Sequence, residues 1–187
     1  YTDAMRGFHR TNLIVSYLTL RQLIGLFGMA LPLLCAFFAA VFSGYPLQPS
    51  VSAYYHTNAR DLFVGLLVCV GFFLVTYRGY DPIDDIVATA AGIAAMGIAV
   101  FPCLGEVCPM RPAGLFRFPA AVSDKLHLAS AVSFFLLCAA NSLFLFTRTD
   151  KRRAMTRNKV RRNRIYVACG LVMILAMGAL AAAMLLL

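Results

Sequence analysis

Charge is scarce in this sequence: only 13% of its 187 residues are Asp, Glu, Lys or Arg, where a soluble globular domain carries about a quarter. With 61% hydrophobic residues and a mean hydropathy of +0.77, the chain belongs in a bilayer. Known catalytic signatures are missing as well. Without a Gly-x-Ser-x-Gly elbow, a phosphate-binding loop or a helical His-Glu-x-x-His pair, covalent serine hydrolysis and nucleotide hydrolysis have no motif to rest on. There is no internal repeat, and no charge stands in the middle of an apolar run; Pro32 and Asn141 are the only irregularities there. The marks of a transporter built from matching halves are therefore absent. Histidine occurs only three times.

What charge there is lies in one place. Nine of the seventeen basic residues fall between Arg148 and Arg164, and with Asp150 that segment carries +8 of the net +9. A basic segment between two apolar runs follows the positive-inside rule and suits the anionic headgroups of an inner leaflet, so residues 148–164 are expected to meet lipid and not nucleic acid.

Runs of uncharged residues divide the chain into five expected spans, at about 22–42, 61–77, 84–101, 125–147 and 164–187. Roughly twenty residues at 1.5 Å each cross about 30 Å of hydrocarbon. The second run is short, and Arg60, Asp61 and Arg78 would complete it at headgroup depth. Residues 1–16 read as a short amphipathic lead-in. Asp81 precedes Pro82 as an N-cap, with Asp84 and Asp85 in the first helical turn. The third span is rich in Ala and Gly and is expected to lie centrally. Ser123 and Asp124 are expected to cap the fourth, in which Ser130, Ser133, Asn141 and Ser142 would bond neighbouring helices. The fold expected is an all-α, polytopic integral membrane protein forming one transmembrane bundle over residues 1–187.

The first apolar run is too long for a signal peptide and lacks a small-residue cleavage site, so it reads as a span. Tyr1 at one end and Leu185 to Leu187 at the other leave open that the chain continues. If the N-terminus is cytoplasmic, thirteen basic residues lie inside (Arg6, Arg10, Arg21, Arg78 and the nine of the basic segment) against four outside (Arg60, Arg111, Arg117 and Lys125). That asymmetry sets the expected orientation, with a bacterial inner membrane as the location.

On this topology Ser52, Tyr54, Tyr55, His56, Arg60, Asp61 and His127 share the outer membrane boundary, although about seventy residues separate the two histidines. They form the candidate site for a lipid-like or small amphipathic ligand, with the nearby carboxylate raising the basicity of His56 and fixing its tautomer. The plainer alternative is that they anchor helix ends to headgroups. A third is a metal site in which His56, Asp61 and His127 hold zinc with an open position for water. Cys103 and Cys108 bracket an outer loop and read as a disulfide or, less simply, a thiolate pair; Cys35, Cys69, Cys138 and Cys169 read as small apolar core residues.

The Ser52-x3-His56 element resembles the Ser-x3-His motif of the CREST superfamily of membrane hydrolases, which includes alkaline ceramidases and progestin and adipoQ receptors. The family's later His-x3-His element would map onto His127, with Ala131 in the partner position, and its bundle has seven helices. The resemblance implies zinc-dependent hydrolysis of a lipid amide, with Ser52 as oxyanion or water partner. The alternative from another class is an accessory subunit of a larger membrane complex or a homo-oligomer, in which the cluster is not catalytic.

Overall fold

A computed structural model describes residues 2–44, 47–79, 81–104, 114–148 and 156–186, without the side chains of 2–18, 20, 21, 43, 184 and 185. These residues form helices and no strand: α1 (Thr2–Ser43), a short 3-10 helix (Val51–His56), α2 (Arg60–Thr76), α3 (Pro82–Val100), α4 (Ala120–Ala140) running into a π-helical turn (Asn141–Leu145), and α5 (Arg157–Leu186). The expected lead-in is not a separate element. Residues 2–21 contain no proline and continue without a break into the apolar part of α1, which stays helical through Pro32.

Four segments are long and apolar enough to cross a membrane: Gln22–Phe42, Pro82–Val100, Ala120–Leu145 and Arg157–Ala183. Their length and composition are those expected of a polytopic membrane protein. Helix α2, with 17 residues, extends about 25 Å at 1.5 Å per residue.

The five α-helices stand side by side in chain order, each packed against its sequence neighbours among the described residues, while the 3-10 helix also reaches α4 through Ser52 and His127. Contacts along each interface run in opposite directions. Phe27 stacks on Phe73, Gly71 meets Gly92 and Met96, Phe101 meets His127, and Ser142 meets Tyr166. The row is therefore up-down throughout, with one end built from the 3-10 helix, the start of α2, the end of α3 and the start of α4.

Helix α3 is central, as its composition implies. Ala88, Ala91, Gly92, Ala95 and Ala99 are buried, and α2 and α4 pack on its two sides. A Cβ on Gly92 would lie 2.5 Å from the Gly71 carbonyl oxygen and 2.9 Å from the Val75 nitrogen, and one on Gly71 would lie 2.8 Å from the Gly92 oxygen. Backbone meets backbone there, which only glycine permits. On the other side Gly97 packs directly on Ser130. Ser142 Oγ donates to the Tyr166 carbonyl at 2.7 Å, joining α4 to α5. Ser133, expected to make such a bond, is exposed.

The N-terminal end of α3 is held by charge and capping. Asp84 accepts from the Asp81 N–H at 3.3 Å, completing a capping box with Pro82 in the first turn. Arg148, beyond the π turn, reaches Asp81 at 3.0 Å and Asp84 at 3.8 Å, and Arg78 pairs with Asp85 at 3.4 Å. These acids thus cap α3 and also tie it to α4, each surface pair adding a modest ~0–1 kcal/mol.

Replacing Gly92 with Val should cost at least about 1–3 kcal/mol in reversible unfolding from mixed micelles. Gly65→Val, at a position with open space around it, should leave stability close to wild type. Equal effects of the two substitutions would contradict the backbone contact between α2 and α3.

Candidate functional site

The segment between α1 and α2 is shaped by its own hydroxyls. Ser50 caps the 3-10 helix, its Oγ accepting from the Ala53 N–H at 3.2 Å. Thr57 Oγ1 donates to the Tyr54 carbonyl at 2.9 Å and accepts from the Ala59 N–H at 3.2 Å, turning the chain into α2. That fold drives Tyr54 and Tyr55 inward, where both are buried. Tyr54 Oη accepts from the Gln48 N–H at 3.4 Å. Tyr55 Oη accepts from Arg60 at 3.1 Å, with the guanidinium 4.7 Å from its ring centroid.

Beyond α3, three successive backbone carbonyls each accept from a side chain of another element. Nδ1 of His127, on α4, lies 2.7 Å from the Phe101 oxygen. Ser123 Oγ donates to the Pro102 oxygen at 2.9 Å. Nε2 of His56 lies 2.8 Å from the Cys103 oxygen. A carbonyl only accepts, so these ring nitrogens carry the protons. In neutral His127 the remaining Nε2 is an acceptor, and Ser52 Oγ, 2.9 Å away, donates to it. Two further bonds close the assembly: Cys103 Sγ donates to the Ser52 carbonyl at 3.3 Å, and Asp124 accepts from the Leu104 N–H at 2.8 Å.

These contacts correct one expectation about α4. The helix begins at Ala120, with Pro119 as its N-cap, because two alanines extend it a turn earlier than a Ser-Asp cap would. Ser123 and Asp124 are thereby free to bind the loop instead of capping.

Beside this assembly lies an open cavity of about 1140 Å³. Its polar lining includes Tyr55, His56, Thr57, Arg60, Asp61 and Arg117, and its apolar lining Val64, Gly65, Ala99, Val100 and Leu115. Of the seven candidate ligand residues, Tyr55, His56, Arg60 and Asp61 line the cavity. Tyr54 is in the core, and the buried His127 and its partner Ser52 sit behind the wall. Arg117 is the polar group that the sequence did not single out. It occupies a left-handed backbone conformation at φ 50°, and Phe116 and Phe118 on either side stack with Phe101. An arginine between two aromatics in a proline-rich loop was the available signal.

The two imidazoles converge on the same three-residue stretch, 101–103, without a shared metal position. Among the described residues no group of three or more His, Cys, Asp or Glu comes together to hold a metal ion. For His127 to bind zinc it would have to release Ser52 or Phe101. The tautomer of His56 is fixed by the Cys103 carbonyl and not by a carboxylate. Ser52, His127 and the Phe101 carbonyl have the hydrogen-bond order of an activated serine, but neither side chain lines the cavity. Cys108 lies outside the described residues, and with it the proposed Cys103–Cys108 disulfide.

Compared with family models, curated proteins and solved structures, the chain matches none.

Burial raises the pKa of the Cys103 thiol, and the negative charge of Asp124 raises it further, against a smaller lowering by a backbone hydrogen bond. In a Cys108→Ser background, alkylation of Cys103 should therefore reach half its maximal rate at a pH above the ~8.5 of a free thiol. Asp124→Asn removes the opposing charge, enlarges the thiolate fraction and should speed alkylation at pH 8. An unchanged pH–rate profile in that variant, followed by mass spectrometry, would contradict the electrostatic coupling.

Proposed function

We propose that this chain is a five-span protein of a bacterial inner membrane, with its N-terminus in the cytoplasm, whose outer-face cavity binds a lipid-like or small amphipathic ligand. In this reading α2 is the fifth span, completed at headgroup depth by Arg60 and Asp61 at one end and Arg78 at the other. The observation that carries the ligand reading is the two-part lining of the cavity. Arg60, Asp61, His56 and Arg117 offer charge and hydrogen bonds at its mouth, while Val64, Gly65, Ala99 and Leu115 offer apolar surface. An amphipathic molecule has the same division.

Two guanidiniums against one carboxylate favour a headgroup bearing phosphate or another anion. Arg60 gives one hydrogen bond to Tyr55, which pre-orients its planar fork and leaves further donors for a ligand oxygen. Apolar surface continuous with the flank of α2 admits a chain from the outer leaflet. Catalysis is no part of this proposal.

A second reading, an accessory subunit of a larger membrane complex, is favoured by one observation. The helices form an open row, so α1 and α5 each have a flank that no other described helix covers.

The absence of tryptophan makes the ligand proposal directly testable. Leu115→Trp installs a single emitter in the cavity wall, and a lysophospholipid with a brominated acyl chain should quench it saturably. Adding Arg60→Gln and Arg117→Gln should raise the half-saturation concentration about 10-fold or more, since each charge-assisted bond contributes about 1.5–3 kcal/mol. Quenching that rises without saturation and ignores both substitutions would mean simple partitioning into the micelle.

A further inference from the structure

The first turns of α5 have two unlike faces. Lys159, Asn163 and Tyr166, at positions i, i+4 and i+7, are committed to the end of α4. Lys159 Nζ donates to the Arg148 carbonyl at 2.9 Å and the Phe146 carbonyl at 3.4 Å. Asn163 Nδ2 donates to the Thr147 carbonyl at 3.2 Å, and the Tyr166 carbonyl accepts from Ser142. One turn further, Gly170 packs on Leu143.

Arg157, Arg161 and Arg164 repeat the same spacing two positions earlier. At about 100° per residue, that places them on the opposite side of the helix. All three are exposed, and they make no ion pair or hydrogen bond among the described residues. With Val160 and Ile165 they line an open cavity of about 530 Å³. Continuing down the same side, Leu171, Val172 and Leu175 are 51%, 64% and 71% exposed. Three unpaired guanidiniums thus head an uncovered apolar stripe on a helix long and apolar enough to span a membrane.

We infer that this face is a binding site for one anionic phospholipid of the inner leaflet. Its phosphate diester lies among Arg157, Arg161 and Arg164, and an acyl chain lies along Leu171, Val172 and Leu175. The guanidinium fork pairs with two oxygens of a phosphate at once, where an ammonium would act as a point charge. The stripe below supplies what a soluble phosphate does not need. The leaflet, though not the chemistry, rests on the orientation proposed above.

The test uses the full chain in detergent carrying Arg60→Gln and Arg117→Gln, which remove the cationic lining of the outer cavity, with bound lipid counted by native mass spectrometry. Phosphatidylglycerol should be retained at one per chain and preferred about 10-fold or more over phosphatidylcholine, as expected for several arginines acting together near a headgroup. Arg157→Gln, Arg161→Gln and Arg164→Gln together should abolish the preference, and Leu171→Asn with Val172→Asn should weaken retention of both lipids. Because that background already lacks Arg60 and Arg117, any preference that remains belongs to the α5 site and not to the outer cavity, and its loss in the background alone would overturn the α5 site. Unchanged preference in the triple variant would overturn the site. Displacement of the lipid by millimolar inorganic phosphate would show an anion site that does not read the acyl chain, and would overturn the lipid assignment. Labelling of Arg157→Cys by a membrane-impermeant thiol reagent from the outside of sealed vesicles would overturn the inner-leaflet placement.

Discussion

A carbonyl oxygen in an apolar setting has to accept a hydrogen bond or bear the cost of its lost hydration. As the chain leaves α3 at Pro102 it presents three such oxygens in succession, where a helical path is no longer available to satisfy them. His127, Ser123 and His56 supply the three donors, from α4 and the 3-10 helix. The rest of this end of the bundle follows from that arrangement. Donation to Phe101 fixes which nitrogen of His127 is protonated, which in turn makes Ser52 a donor. Cys103 then binds back to the Ser52 carbonyl, so the 3-10 helix, the α3–α4 loop and α4 hold one another. Only the Ser123–Pro102 bond among these is fully buried, and it lies between the two histidine bonds.

The opposite end of α3 is secured differently. There the capping box is local, and the ion pairs to Arg78 and Arg148 are partly exposed, so their contribution is small and screened by salt. Between the ends, the Gly71–Gly92 contact sets the spacing of α2 and α3 through backbone packing alone. The cavity sits where this hydrogen-bonded assembly meets the α2–α3 pair. His56, held by the Cys103 carbonyl, forms part of its wall, and its polar lining includes residues that the assembly leaves uncommitted, Asp61 and Arg117.

Much of this could be read from the sequence where the determinants are local. Uncharged runs fell on all five α-helices, four of which are long and apolar enough to span, and Asp81 before Pro82 announced the start of α3. The Ala and Gly positions marked the helix with neighbours on both sides. The meeting of His56 and His127 near one loop was implied by topology, but their partners were not, because a backbone acceptor has no letter in the sequence. Imidazole and carboxylate side chains at one depth suggested zinc; in the structure one nitrogen of each ring donates to a carbonyl of residues 101 and 103, and among the described residues no third metal-binding side chain joins the two rings. The start of α4 was misplaced for a related reason: Ser123 and Asp124 have the chemistry of caps, and only the three-dimensional position of residues 102 and 104 shows what they bind instead. Arg117 was passed over because its place in the cavity wall depends on a left-handed backbone angle that no spacing rule reveals.

The central claim is that the two distant imidazoles hold the segment that leaves α3 by donating to the Phe101 and Cys103 carbonyls. Nitrogen-15 NMR of the chain labelled at histidine, with each ring assigned by substitution, reports the tautomer directly. The account predicts that neutral His127 is protonated at Nδ1, with a slowly exchanging proton coupled to the Phe101 carbonyl, and that neutral His56 is protonated at Nε2. A His127 ring protonated at Nε2, or one whose Nδ1 proton exchanges as fast as that of a free imidazole, would contradict it.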